Sequence, residues 1–240
     1  MNKTLFPAFL GALLVPIANV FAGPVVLTGD SITVSYAPHV PNFQSVAQGG
    51  LVAGSYLGQT SSSTTNFAQN VVNLNPDTIV FMLGANDSVA TNSTAYRFTL
   101  FQTHIDTAFD LFEQSSASRV IVLSILPVDE ASITSTYGSK NGTGMNSRVN
   151  TDYNPWLAAE AAARPKFEYL DLNTAIQSNA NWRQDWLHAY GLHLVDGAGE
   201  QWLANQVANA VAVPEPSPLA GLALILVVLG ARRRIGGSVA

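Results

Sequence analysis

The sequence predicts a doubly wound α/β fold built on a five-stranded parallel sheet, and three observations carry that reading. Short, uninterrupted apolar runs recur along the chain, each closed by turn residues, as strands covered on both faces require. Between the runs lie stretches of helical length and spacing. In one of these, Phe98, Phe101, Ile105, Ala108, Phe109 and Phe112 recur with the period that gives a single buried helix face. Strands alternating with helices define this class, which takes its ligands outside the C-terminal ends of the strands.

In chain order, Pro24–Leu27 reads as the first strand and Phe43–Ala47 as a weaker second one. Thr64–Leu74 reads as helix, Thr78–Leu83 as the third strand, and Tyr96–Gln114 as the helix with the aromatic stripe. Val120–Leu126 is the fourth strand, Val149–Ala163 a helix, Phe167–Leu170 the fifth strand and Glu200–Val211 the last helix. Asp129 to Asn146 is rich in Ser, Thr, Gly and Asn and reads as a long surface loop. The Ser/Thr run Thr60–Thr65 reads as a loop leading to a helix cap.

The ends of the chain read as addresses. Residues 1–22 have the parts of a signal peptide, with Lys3, an apolar run to Val20, and Val20-Phe21-Ala22 as the cleavage signature. Residues 23–212 form the expected folded domain. Residues 213–240 open with Val213-Pro214-Glu215-Pro216, continue as a short uncharged apolar stretch, and close with Arg232-Arg233-Arg234. An apolar stretch stopped by arginines leaves them on the cytoplasmic side of a membrane. The three parts resemble the PEP-CTERM sorting signal. That resemblance implies transient membrane insertion and processing by an exosortase-type protease in a Gram-negative bacterium. The protein would then reside in the periplasm, on the outer surface or in the extracellular matrix. A permanent single-span anchor is the alternative.

The 23–212 region carries 7 basic and 15 acidic residues, a net of −8. An acidic body without a basic stripe argues against nucleic-acid binding, which needs Lys and Arg to displace counterions. The chain has no cysteine, which removes disulfides, thiolate metal sites and a Cys nucleophile. No zinc-type or phosphate-binding arrangement stands out, and Gly197-Ala198-Gly199 follows no strand.

Three blocks remain that could carry chemistry. Gly29-Asp30-Ser31-Ile32 follows the first strand, so Ser31 reads either as a helix N-cap or as a nucleophile presented at the strand edge. Gly84-Ala85-Asn86-Asp87 follows the third strand, as an Asx turn or as an amide donor with its support. Gly191-Leu192-His193-Leu194 precedes the last helix. Acyl transfer needs a nucleophile, a base for its proton and donors aimed at the developing oxyanion. The donors on offer are the Ser31 N–H, the Asn86 amide and a backbone N–H from the glycine-rich loop Gln48 to Gly54. Four histidines compete as base. His104 lies on the aromatic helix and reads as structural, His39 sits in a Pro-flanked loop, and His188 and His193 lie near the last helix.

Gly29-Asp30-Ser31, Gly54, Gly84-Ala85-Asn86-Asp87 and Gly191-Leu192-His193 resemble, in order and spacing, the four blocks of the SGNH (GDSL-type) hydrolases. The resemblance runs from Val25 to Val211. It implies a flavodoxin-like three-layer α/β/α sandwich and cofactor-free serine ester hydrolysis. Ser31 would be the nucleophile, Ser31, Gly54 and Asn86 the oxyanion donors, His193 the base, and Asp30 and Asp87 supports for the donor loops. The Gly-x-Ser-x-Gly elbow of other α/β-hydrolases is not matched, since Thr33 stands where its second glycine would be.

The family usually places an aspartate three residues before the histidine, and this chain has Tyr190 there. Three arrangements remain open: Asp185 reaches His193, a backbone carbonyl holds the ring and leaves a Ser–His dyad, or Asp185 and His188 form the true pair. The expected activity is that of an exported esterase or lipase. A carbohydrate O-acetylesterase acting on exopolysaccharide is a second expectation. A binding protein of the surface matrix that kept the fold and lost turnover is a third.

Overall fold

The computed structural model describes residues 24–61, 63–89, 95–138 and 142–212. The expected signal peptide and C-terminal sorting segment lie outside the described residues.

Five parallel strands form one sheet: β1 (Val25–Gly29), β2 (Gln44–Ala47), β3 (Thr78–Met82), β4 (Arg119–Leu123) and β5 (Phe167–Leu170), in the order β2-β1-β3-β4-β5. The three central strands are buried along their whole length, which is why they read as unbroken apolar runs. β2, at one edge, is half-exposed and correspondingly polar.

The order fixes where a ligand can sit. From β1 the chain moves outward to β2 through α1 (Ser31–Tyr36), then returns across β1 to β3 through α2 (Ala53–Tyr56) and α3 (Phe67–Asn73). Right-handed crossovers in opposite directions put α1 and α3 on opposite faces of the sheet. The final helix joins α1 on its face, and α4 (Ala95–Gln114) joins α3 on the other. A crevice opens between the C-terminal ends of β1 and β3, where the winding reverses. Ser31 follows β1 and Asn86 follows β3.

The core under α4 is the aromatic stripe. Phe81 of β3 packs edge-on against Phe109, Phe112 and Tyr56 at ring separations of 5.3, 6.0 and 5.7 Å. Phe101 packs against Tyr153 and Trp156. Far from the crevice, Arg119 grips Glu168 through two 2.6 Å hydrogen bonds, and Arg164 pairs with Asp106, Asp110 and Glu113. Most of these carboxylates are exposed, so each pair contributes about 1 kcal/mol or less.

The structure corrects the sequence reading in three places. The segment after β4 is not only loop: Asp129 caps a helix, α5 (Glu130–Tyr137), accepting from the Ala131 and Ser132 N–H groups, and Ile133 anchors it in the core. Polar composition hid an N-cap signal. The helix expected over Val149–Ala163 begins earlier, as α6 (Met145–Arg148), passes through a π turn at Val149–Tyr153 and continues as α7 (Asn154–Ala163). Pro155 has no N–H to offer the preceding turn, which loosens the ladder there. The short helices α8 (Leu172–Gln177) and α9 (Trp182–Asp185) lie where no periodicity could mark them. The last helix, α10, spans Ala198–Ala212.

Candidate active site

β1 ends at Gly29 with φ +152, and a Cβ there would lie 1.9 Å from the Met82 carbonyl oxygen of β3. Only glycine lets the two strand ends run this close. The next residue, Asp30, is buried and caps α1, its carboxylate accepting from the Ile32 N–H at 3.0 Å. That overturns the N-cap reading of Ser31. The cap is Asp30, and Ser31 is left half-buried on the first turn of α1 with its hydroxyl available for other work.

The glycine loop after β2 passes beside it. A Cβ on Gly49 would stand 3.8 Å from that of Ser31. Both oxygens of Asp87 accept from the Ala53 N–H, at 3.1 and 3.2 Å, next to Gly54 at the start of α2. The Asn86 amide donates to the Leu51 carbonyl at 3.0 Å, and the Tyr153 hydroxyl donates to the Asp87 carbonyl at 3.0 Å. Gly84, with φ +124, makes the turn that allows this, and a Cβ there would collide with Ile125. The turn after β3 and the loop after β2 are thereby tied together.

Burial pushes the Asp30 carboxyl up to about 7 against the pull of the Ile32 N–H. It pushes Asp87 up to about 7 as well, opposed by the Ala53 N–H and reinforced by the Asp30 charge. Both acids hold backbone, and the Arg97 charge pulls weakly against the rise at Asp87.

The histidine arrives on a narrow hairpin. Leu187 and Leu194 form an antiparallel bridge, the His188 N–H donates to the His193 carbonyl at 2.7 Å, and the Val195 N–H donates to the Trp186 carbonyl at 2.9 Å. At its tip Gly191 has φ +85 and gives its carbonyl to the Asp129 N–H of the α5 cap. Trp186 stacks on Trp202 of α10 with ring centres 5.1 Å apart. From this support His193 Nε2 reaches Ser31 Oγ at 2.6 Å, across 162 residues of chain. Burial holds the His193 pKa below its usual value, with a smaller push from His188 and an opposing one from Glu200.

The other candidates stand elsewhere. The Asp185 carboxylate is exposed and accepts from the Asn179 amide at 3.1 Å, and His193 Nδ1 is buried without a hydrogen-bond partner. Neither the Asp185–His193 nor the Asp185–His188 pairing is therefore formed: α9 ends with Asp185 turned toward the loop before it. His188 is exposed and lies against Tyr190 at 3.9 Å between ring centres. His39 is bound to Glu200. His104 lines a cavity of about 280 Å³ beside Gly54, together with Gln59, Thr60, Asp87 and Arg97. Sequence reasoning missed this cavity and Glu200, because a Glu in the first turn of a helix is ordinary there. Among the described residues no three His, Asp or Glu side chains converge as a metal site would need.

A parallel sheet with a serine after β1, an amide after β3 and a histidine before the last helix defines a serine hydrolase of the three-layer class. The model of the GDSL-like lipase/acylhydrolase family matches residues 27–202, and the chain belongs to that family. No curated protein sequence matches it. Among solved structures it is similar to the lipase/acylhydrolase of Enterococcus faecalis, with 18% identity, a TM-score of 0.58, and 79% of this chain and 95% of the other covered. A GDSL-like lipase of Bacteroides thetaiotaomicron gives 19% identity and a TM-score of 0.60, covering 79% and 87%. The C-terminal catalytic domain of a Streptococcus pneumoniae peptidoglycan O-acetyltransferase gives 16% and 0.51, covering 79% and 93%. At these identities the neighbours speak for the fold. The family match makes the chain an ester hydrolase.

Proposed function

We propose that the protein is an exported serine esterase that cleaves carboxylic esters through an acyl-Ser31 intermediate. The observation that carries the reading is the 2.6 Å contact between Ser31 Oγ and His193 Nε2. His193 takes the Ser31 proton as Oγ bonds to the ester carbonyl carbon. The carbonyl oxygen becomes an oxyanion facing the Ser31 and Gly54 N–H groups and the Asn86 amide. Collapse breaks the bond to the alcohol oxygen, which leaves with the proton from His193. Water, deprotonated by His193, then attacks the acyl carbon, and serine leaves with that proton.

A fluorophosphonate probe tests this on the full chain. Ser31 should be labelled and a p-nitrophenyl ester hydrolysed, and Ser31→Ala should lose both while still folding. Retained turnover in folded Ser31→Ala excludes the serine mechanism.

A second reading takes an O-acetylated exopolysaccharide as substrate. It is favoured by the polar groups in the mixed lining of the cavity beside Gly54, where Gln59, Thr60, Arg97 and His104, suited to sugar hydroxyls, stand among Val52, Leu100 and Phe101. Acetate release from acetylated polysaccharide, compared with long-chain p-nitrophenyl esters, separates the two. The N- and C-terminal addresses support export followed by processing near Pro214–Ser217. Recovery of Arg232–Arg234 in the mature protein, read by intact mass, would instead indicate a retained anchor.

A further inference from the structure

The usual partner of the catalytic histidine is missing. At the family position stands Tyr190, whose ring meets His193 edge-on at 5.5 Å, and His193 Nδ1 accepts and donates no hydrogen bond. An imidazole that receives a proton in a half-buried site needs a compensating negative charge. Asp185 does not supply it.

Another acid is placed for the task. Glu200 lies in the first turn of α10, with its side chain only 9% exposed, and its N–H bonds to Val195 at the foot of the histidine hairpin. Its carboxylate accepts from His39 Nε2 at 3.0 Å. His39 closes the turn Ala37–His39 that directly follows α1, the helix that begins with Ser31. One hydrogen bond therefore joins the element carrying the nucleophile to the element behind the base.

We propose that the Glu200–His39 pair replaces the missing aspartate: Glu200, held in place by His39, is a positioning residue that stabilises the imidazolium formed when His193 takes the Ser31 proton. The proposal rests on the Ser31–His193 reading. It differs from the family arrangement in that the carboxylate acts through space rather than through a hydrogen bond to Nδ1. The titratable groups around His193 are Ser31 from α1, His188 and Tyr190 from its own hairpin, and Glu200 from α10. Of these, Glu200 supplies the negative charge that favours the protonated ring.

The test is the titration of the His193 ring in the full chain, followed by ¹⁵N NMR, beside pH profiles of kcat and KM with p-nitrophenyl acetate. Glu200→Gln should lower the His193 midpoint by about 1 unit, as removal of a nearby opposite charge does. It should lower kcat about tenfold, with KM little changed, and move the acid limb of kcat/KM to lower pH. His39→Ala should show part of that loss, and His39→Gln, which keeps a neutral N–H donor, should restore kcat to within about threefold.

A carboxylate that merely ties α10 to α1 or favours the helix N-terminus would change thermal stability and leave the His193 midpoint in place. That outcome overturns the proposal. If Glu200→Gln does not fold, the His39 pair decides: a His39→Ala protein with wild-type midpoint and kcat overturns it equally. The NMR midpoint is read whether or not the ester is turned over, so failure of the esterase reading, seen as an inert wild type, is distinguishable from failure of this one.

Discussion

Ser31 and Asn86 stand on turns whose backbone is gripped by acids, whereas His193 stands on a hairpin held by main-chain bonds and by the stack of Trp186 on Trp202. On the first side, Asp30 holds the Ile32 N–H and Asp87 holds the Ala53 N–H and its own, which fixes the backbone of both turns. On the second, the ring is placed by the shape of the hairpin, and its far nitrogen is unbonded. Donors to a developing oxyanion act only if they are aimed before the charge appears, so rigidity there is repaid in rate. A base that must receive a proton and pass it on tolerates a looser seat.

The largest expected effect probes the looser side. His193→Ala should lower kcat by about 10,000-fold or more, while His188→Ala leaves it nearly unchanged, because only His193 touches Ser31. Steady-state assays of the two variants check this. The reverse pattern would mean that the hairpin rearranges when substrate binds.

Asn86→Ala probes the rigid side. It should cost about 100- to 1,000-fold in kcat with a small change in KM, since a preset donor serves the transition state more than the ground state. A change confined to KM would assign Asn86 to substrate binding and weaken the contrast.

The two acids add a pH signature to the rigid side. Folded Asp30 and Asp87 keep their protons up to about pH 7, while an ordinary Asp carboxyl releases its proton near 3.8. Across that window the folded state binds more protons than the unfolded chain, so stability falls as pH rises from about 4 to about 7 and levels off above it. Denaturant titrations at several pH values would show the slope. Asp87→Asn, which keeps an acceptor for the Ala53 N–H and loses the titration, should flatten it.

The smallest effect is expected at Asp185. Its exposed carboxylate touches Asn179, so Asp185→Asn should change kcat by about twofold or less, as exposed substitutions do. A severe loss of kcat would show that α9 reorganises to bring a carboxylate to His193.

How far the sequence revealed this molecule follows the same division. The central strands were legible because each is buried on both faces and so must be apolar throughout, and α4 because its aromatics keep one face. Ser31 and Asn86 were legible as candidates because they stand at strand ends, where an apolar run stops at Gly29 or Gly84. The helix after Asp129 was hidden, since its buried side is little more than Ile133. Glu200 was hidden for another reason: its partner His39 is 161 residues away, and nothing local distinguishes a glutamate that faces a histidine from one that faces water.

The separation of Ser31 from His193 along the chain also sets a timetable. The proposed nucleophile belongs to the first strand–helix unit, the proposed donors to the next, and the proposed base to the segment that ends against α10. A chain emerging in order from a ribosome or a membrane channel therefore holds its serine and its oxyanion donors long before it holds a base. Hydrolytic competence arrives with the docking of the last helix, after the rest of the domain has formed.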